Sequence, residues 1–596
     1  PILTIEQALA GNSRFEEGPR VWTKGDVDAA LKAAPHRLQG RLEMGGQEHF
    51  YLESQAALVF PQDNGDVIVH SSTQHPTEIQ HKVAEAIGKP MNAVRVETRR
   101  MGGGFGGKES QGNALACACA VVASLTGRPA KMRYDRDDDM TITGKRHDFR
   151  IDYDVAYDDR GRVLGVDFTQ YTRGGWALDL TIPVADRAML HADNAYLLPA
   201  ARITSHRLKT NTQSATAYRG FGGPQGIFGI ERVMDHVAHA LGLDPIEVRK
   251  VNYYQPMAKV RAGGAGDNST PYGMEVRDFL LHEMTEKLLG TSDYARRKAE
   301  IAAWNAKSPI LKRGIGFSPV KFGISFTLTH LNQAGALVHV YQDGSIHLNH
   351  SGTEMGQGLF QKVAQVAASR FGVAMEAIKI TATDTAKVPN TSATAASSGT
   401  DLNGMAVQNA CDTIIARIAD IMAQINGGKA VDVTFSDGKV TLGETTLTFQ
   451  QAAMLAYTNR VSLSAAGFYK TPDLAWDRIK GQGQPFFYFA QGAALTEVVI
   501  DTLTGENRIL RCDILHDAGS SLNPALDIGQ IEGGYVQGAG WLTTEELVWD
   551  DKGQLRTHAP STYKIPACSD RPEVFNVALW DGENPEATIY RSKAVG

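Results

Sequence analysis

The spacing of apolar and polar positions along the chain switches repeatedly between the period of a strand and that of a helix. Val67-Ile68-Val69-His70 alternates and runs into the turn-forming stretch Ser71 to Pro76, which predicts a strand and its end. The next residues place Ile79, Val83, Ala86 and Ile87 on one helical face. Gln74 therefore falls at a strand-to-helix switch. Ser110 to Leu125 reads as a buried helix, and residues 150 to 172 as strands around the turn Asp158 to Gly161. Pro1 to Ile5 predicts a strand and Gly25 to Ala34 a helix. Residues 255 to 272, poor in large hydrophobes, read as a loop. Leu280 to Leu289 and Tyr294 to Trp304 read as helices, and Val320 to Phe326 as a strand. One hairpin joins Ala336–Tyr341 to Ile346–His350 across Asp343-Gly344, and another spans Glu497 to Leu510. With a boundary near Lys307 to Arg313, the pattern predicts an α+β protein of two large mixed domains, 1–310 and 311–596.

Five loops rich in glycine and small polar residues interrupt these elements: Arg100 to Glu109, Arg219 to Gln225, Gly352 to Gly358, Asn390 to Thr400, and Asp527 to Gly533. Glycine lets backbone amides converge on a ligand, and a loop that opens a helix N-terminus favours an anion. Gly102 to Lys108 fits a phosphate-loop spacing, but Glu109 stands where Ser or Thr would hold magnesium. A glycine-rich turn without a ligand explains any one such loop. Five together read as the cradle of one large, polar, anionic ligand. Helical spacing resumes at Leu359, Val363, Val366 and Ala367, and again at Val407, Cys411, Ile414 and Ile418, with Thr400 as candidate N-cap. Asp135 to Asp139 fits no calcium loop and reads as a solvated turn. Arg187 stands alone among apolar residues, as a paired structural charge or as a donor facing a substrate.

Composition narrows the class. The chain has 596 residues, 42% hydrophobic and 21% charged, enough for more than one packed core. A net charge of -6 gives no electrostatic footprint for nucleic acid. No apolar run is long enough to predict a membrane span. Cys117, Cys119, Cys411, Cys512 and Cys568 form no C-x-x-C pair, which excludes the usual iron–sulfur and zinc spacings and a disulfide framework. All five read as buried small hydrophobes in a reducing, cytoplasmic setting. A chain that opens on Pro1 predicts a fragment or a processed product.

Met101 to Glu109, Tyr218 to Gln225, Gly352 to Gly358 and Ser592 to Gly596, in this order, resemble the molybdenum-binding part of the xanthine dehydrogenase family, and the likeness runs over nearly all of the chain. It is nearest to the molybdopterin-binding subunit of the bacterial two-subunit type. The resemblance implies a molybdopterin whose molybdenum carries oxo, sulfido and hydroxide ligands and takes no protein side chain, held between the two domains. Gln74, Phe105, Arg219 and Ala396 would lie nearest the metal centre. Gly104, Gly106, Met355, Gly356, Gln357, Thr394, Ala395, Ser397, Ser398 and Gln530 would complete the cofactor cradle.

The resemblance also implies a substrate pocket. Phe221 and Phe326 would sandwich a flat heterocycle, with Leu180, Leu328, Leu331, Ala395 and Ala396 around it. Glu109 and Arg187 match the purine-recognising pair, which favours hypoxanthine and xanthine over aldehydes. The implied reaction is hydroxylation to urate with oxygen from water. Electrons would leave through iron–sulfur clusters and FAD, for which this chain has no motif, so a partner subunit would carry them toward NAD in a heterotetramer of two chain types. The family's general base is the glutamate that follows Ala-Val-Gly, and here that position falls directly after Gly596. A preceding small α+β domain is expected before Pro1. The rival readings are a molybdenum hydroxylase for aldehydes or other N-heterocycles, and a non-catalytic truncated fragment.

Overall fold

The computed structural model describes residues 1–264 and 266–595. Gly596, and with it the position expected to precede the base, lies outside the described residues. Four units, each a sheet covered by helices, make up most of the molecule. The first sheet runs Arg20–Lys24, Ala201–Leu208, Val163–Arg173, Asp148–Tyr157, His36–Met44. The helices Thr181–Leu190 and Gly223–Leu241 cover it, and Ile151, Val155, Val166, Phe168, Ile203, Ile230, Val233 and Val237 fill the space between. The second runs Thr383–Asp384, Val94–Thr98, Val67–Ser71, Ala56–Pro61, Ala130–Arg133, under the helices Pro76–Ile87 and Asn113–Thr126.

The third sheet has the order Ile378–Ile380, Ile346–His350, Gln333–Val340, Ser464–Lys470. It packs on Leu359–Phe371 and on the long helix Gly399–Asn426, which buries Val407, Cys411, Ile414, Ile418 and Met422 at helical spacing. The fourth consists of Leu311–Ile324, Tyr488–Asp501, Asn507–His516 and Val574–Leu579. Phe317, Leu495 and Leu515 of this sheet join the core of the first unit. The strand Thr383–Asp384 also crosses over, pairing with Glu97 and Thr98, and Asp384 meets Arg95 at 2.5 Å.

Several expectations change. The N-terminus folds as the helix Ile5–Ala10, not a strand, because Thr4 and Gln7 form a reciprocal capping box. The acidic run is a helix start: Asp135 caps Arg136–Ile142, and Asp139 is buried against the Tyr51 hydroxyl and the Gln55 amide. Ser398, not Thr400, precedes the long helix, without a side-chain cap bond. The helix Asn113–Thr126 buries one face only, and Leu125 is 82% exposed. All five cysteines are free, but Cys568 is exposed and Cys117 half-buried. Within residues 255 to 272 a short helix forms at Met257–Arg261. Among the described residues, no helix is long and apolar enough to cross a membrane.

Candidate active site

The glycine-rich segments converge on one cavity of about 940 Å³. The fifth, Asp527 to Gly533, expected as a loop, instead lies within the helix Pro524–Thr543, which Asn523 caps, and reaches the cavity from its first turns. Gln74 joins its two sides. The side-chain oxygen accepts from the Gly106 amide at 2.9 Å, and the Nε2 donates to the Thr394 carbonyl at 3.0 Å. The Gln74 carbonyl accepts from the Thr394 amide in turn. A carboxamide has two N–H groups, so one remains for a ligand. Gly104 lies against this amide: a Cβ there would stand 2.7 Å from the Gln74 Oε1 and 3.1 Å from the Met355 sulfur.

Backbone strain concentrates on the same walls. Phe105, Phe221, Ala396 and Ser397 all adopt positive φ, between 53° and 57°, a region that costs a non-glycine residue about 1–2 kcal/mol. All four line the cavity. The Glu354 carboxylate organises the next loop, accepting from the amides of Gly356, Gly358 and Phe360 at 2.8, 3.1 and 2.9 Å. Gln357 is engaged within that loop, with Met355 N–H and the Thr353 carbonyl. Arg219 donates to the Gln530 carbonyl at 2.8 Å and so ties its loop to the helix Pro524–Thr543.

Two buried ionisable groups face this space. Glu109 is 6% exposed, and its Oε2 has no hydrogen-bond partner. Burial, reinforced by Glu78 and Asp179, pushes its carboxyl group up to about 8, so it is protonated at neutral pH. Arg187, 2% exposed on the helix Thr181–Leu190, donates to the carbonyls of Gly323 and Ser325. Its guanidinium lies 4.7 Å from the centroid of Phe322 and 5.2 Å from that of Phe486. Burial lowers it to about 10, which leaves it a cation whose Nε has no hydrogen-bond partner among the described residues. His191, one turn on, is held neutral by burial and bridges the Arg187 carbonyl and the Gly323 amide.

Of the residues expected here, Gln74, Phe105, Gly106, Glu109, Arg187, Arg219, Phe221, Met355, Gly356, Gln357, Thr394 to Ser397 and Gln530 line the cavity. Phe326 is buried outside the lining, with its amide on Asn332. Leu180 packs into the core of the first unit, Leu328 is exposed, and Leu331 sits in the short turn Thr329–Leu331. Ser398 begins the long helix. Phe322 and Lys362 line the cavity without a site signal in the sequence, and Val595 lines it within the Ser592–Gly596 motif. Phe322 carried only a strand signal, and Lys362, paired with Asp527, only a helix-surface one. Among the described residues no cluster of His, Cys, Asp and Glu could hold a metal by itself.

Residues 10–253 and 287–572 each match a molybdopterin cofactor-binding domain family. Xanthine dehydrogenase of Drosophila pseudoobscura pseudoobscura is 42% identical over 596 residues, and xanthine dehydrogenase/oxidase of Gallus gallus 44% over 598. Each match covers 100% of this chain and 42% of the relative, so the chain spans less than half their length. Quinoline 2-oxidoreductase from Pseudomonas putida 86 has a similar fold, with a TM-score of 0.89 at 22% identity, covering 100% of this chain and 76% of that one. An aldehyde oxidoreductase from Desulfovibrio desulfuricans gives 0.86 at 23%, covering 100% and 62%. The cavity walls come from both matched regions, and the full-length identity is to xanthine dehydrogenases: this chain belongs to the molybdopterin-binding part of the xanthine oxidase family of molybdenum hydroxylases.

Proposed function

We propose that the chain is the molybdenum-binding subunit of a xanthine dehydrogenase, converting hypoxanthine and xanthine to urate. The reaction balances as R–H plus H₂O giving R–OH, two protons and two electrons. The electrons pass to iron–sulfur clusters and FAD on a partner subunit, then to NAD, in a cytoplasmic heterotetramer. The names of the relatives support this reading.

The cavity fits molybdopterin by its donor chemistry. An anionic pterin phosphate needs N–H donors and close backbone approach. Gln74 retains one carboxamide N–H beyond the one given to Thr394, and the side chains of Arg219 and Gln530 line the same space. A Cβ at Gly356, Gly529 or Gly533 would meet nothing within 4 Å, so space lies directly beside their backbone. Gln74, Phe105, Arg219, Met355, Gln357, Thr394 to Ser397 and Gln530 would hold the group. When bound, it supplies the centre that accepts the two electrons.

Glu109 and Arg187 carry the purine assignment. A protonated carboxyl group with an unpartnered oxygen can donate to and accept from ring nitrogens and carbonyls. A buried guanidinium with an unengaged Nε stabilises negative charge that develops on a purine oxygen. Phe221 offers a ring on which a flat heterocycle stacks.

The test is isotope labelling of the native complex turning over xanthine in H₂¹⁸O. The label is expected in the hydroxylated ring position. Label arriving only from ¹⁸O₂, or no urate formed by a complex loaded with molybdenum, would overturn the proposal.

A further inference from the structure

Tyr488, outside the cavity lining, stands where three cavity walls meet. It is 4% exposed on the strand Tyr488–Asp501. The first wall is the strand Leu311–Ile324. Its end residue Ile324 pairs with Tyr488, flanked by the two carbonyl groups that receive Arg187. The second is the loop Thr394 to Thr400. Tyr488 donates its hydroxyl proton at 2.7 Å to Asp401, in the first turn of the helix that this loop opens. The third is the segment before Gly596. The phenol oxygen accepts from the Ala594 amide at 2.7 Å, and the next residue, Val595, lines the cavity.

That segment is tied down residue by residue. The Ser592 carbonyl accepts from Thr588 Oγ1 at 2.6 Å and Asn584 Nδ2 at 3.0 Å. The Lys593 ammonium is buried between Asp517 and Asp278, each at 2.6 Å. Ala594 has only Tyr488 to fix its amide, and its side chain packs with Ile324, Phe487 and Tyr488. A phenol that donates to a carboxylate is a stronger acceptor toward its other neighbour, so the two bonds reinforce each other. The other oxygen of Asp401 has no hydrogen-bond partner among the described residues.

We propose that Tyr488 and Asp401 are a positioning pair that fixes the backbone at Ala594 and Val595 against the strand end holding Arg187 and the Thr394–Thr400 loop. Its catalytic consequence rests on the function proposed above. If the reacting group follows Gly596, the pair sets that group's aim without touching substrate.

The experiment uses the full-length subunit in its native complex, as wild type, Tyr488→Phe and Asp401→Asn. Hydrogen exchange of the peptide spanning residues 588–596 reads the clamp without any reaction. Phe is expected to raise exchange there about tenfold or more while the core helix Gly399–Asn426 stays protected. Asn, which keeps an acceptor for the phenol, is expected to raise it less. Steady-state kinetics then read the consequence: with molybdenum content unchanged, Phe lowers kcat on xanthine about 10- to 100-fold and leaves KM close to wild type, and Asn recovers most of the rate. Unchanged exchange in Phe overturns the positioning pair, whatever the activity. Loosened exchange with unchanged kcat overturns its catalytic consequence. A wild type inactive on xanthine, with the exchange result intact, sinks the proposed function and leaves the clamp standing.

Discussion

At the scale of single residues, the cavity is marked by groups placed at a cost to folding. Glu109 is the clearest. Its carboxyl titrates near 4.5 in an unfolded chain and is pushed up to about 8 by burial. The folded state therefore holds the proton more tightly. Its stabilising effect is fully present below about 4.5 and is lost as pH rises through about 8. Glu109→Gln removes the titration, so thermal melts are expected to show the variant gaining on wild type as pH climbs from 5 to 9. Over that window the gain approaches a ceiling on the order of 5 kcal/mol. A pH-independent difference would mean the carboxyl group is solvated. Glu109 was legible in the sequence as an acid out of place in a phosphate-loop spacing. The unpartnered oxygen and the carbonyl cage around Arg187 were not, since Gly323 and Ser325 lie more than a hundred residues from Arg187 and carry no chemical signal.

At the scale of elements, periodicity located the helices and strands whose long amphipathic runs bury one face. The helix Gly399–Asn426 and the hairpin of Tyr488–Asp501 with Asn507–His516 are examples. It failed where a cap outweighed a short apolar run, as at Thr4, and where one face of an apolar helix stayed exposed, as at Leu125. Helix-to-helix approach was also invisible. Thr181–Leu190, which carries Arg187, lies so near Gly223–Leu241 that a Cβ on Gly226 would come within 2.1 Å of the Ala188 carbonyl. Gly226→Ala must push these helices apart. A loss of about 2–3 kcal/mol is expected in denaturant unfolding, in the upper range for overpacking, together with a weakened response to xanthine. Gly290, exposed in the last turn of the helix Leu281–Thr291, with nothing within 4 Å of a Cβ and no positive φ, is the control for a glycine change at the surface. Wild-type stability in Gly226→Ala would contradict the close crossing.

At the scale of the whole molecule, the first and last parts of the chain meet mainly through shared core and shared cavity. Phe317, Leu495 and Leu515 join the first core, and Gln74 is bonded to Thr394 across the cavity. A cofactor held by both walls binds the folded state and not the unfolded one. Loading is expected to stabilise the chain by about 2.7 kcal/mol at a hundredfold excess over Kd. Calorimetry of molybdopterin-loaded and cofactor-free protein checks this, and limited proteolysis should find the Thr394–Thr400 loop protected only when loaded. Equal melting in both states would place the cofactor elsewhere.

The purine assignment is tested most directly by comparing kcat/KM on xanthine and on an aromatic aldehyde for the native complex, Glu109→Ala and Arg187→Met. Each variant is expected to lose about 100-fold or more on xanthine, near 2.7 kcal/mol of transition-state stabilisation, while keeping its molybdenum and its aldehyde activity. Xanthine turnover that survives both changes would contradict the account and leave the chain a molybdenum hydroxylase for another substrate.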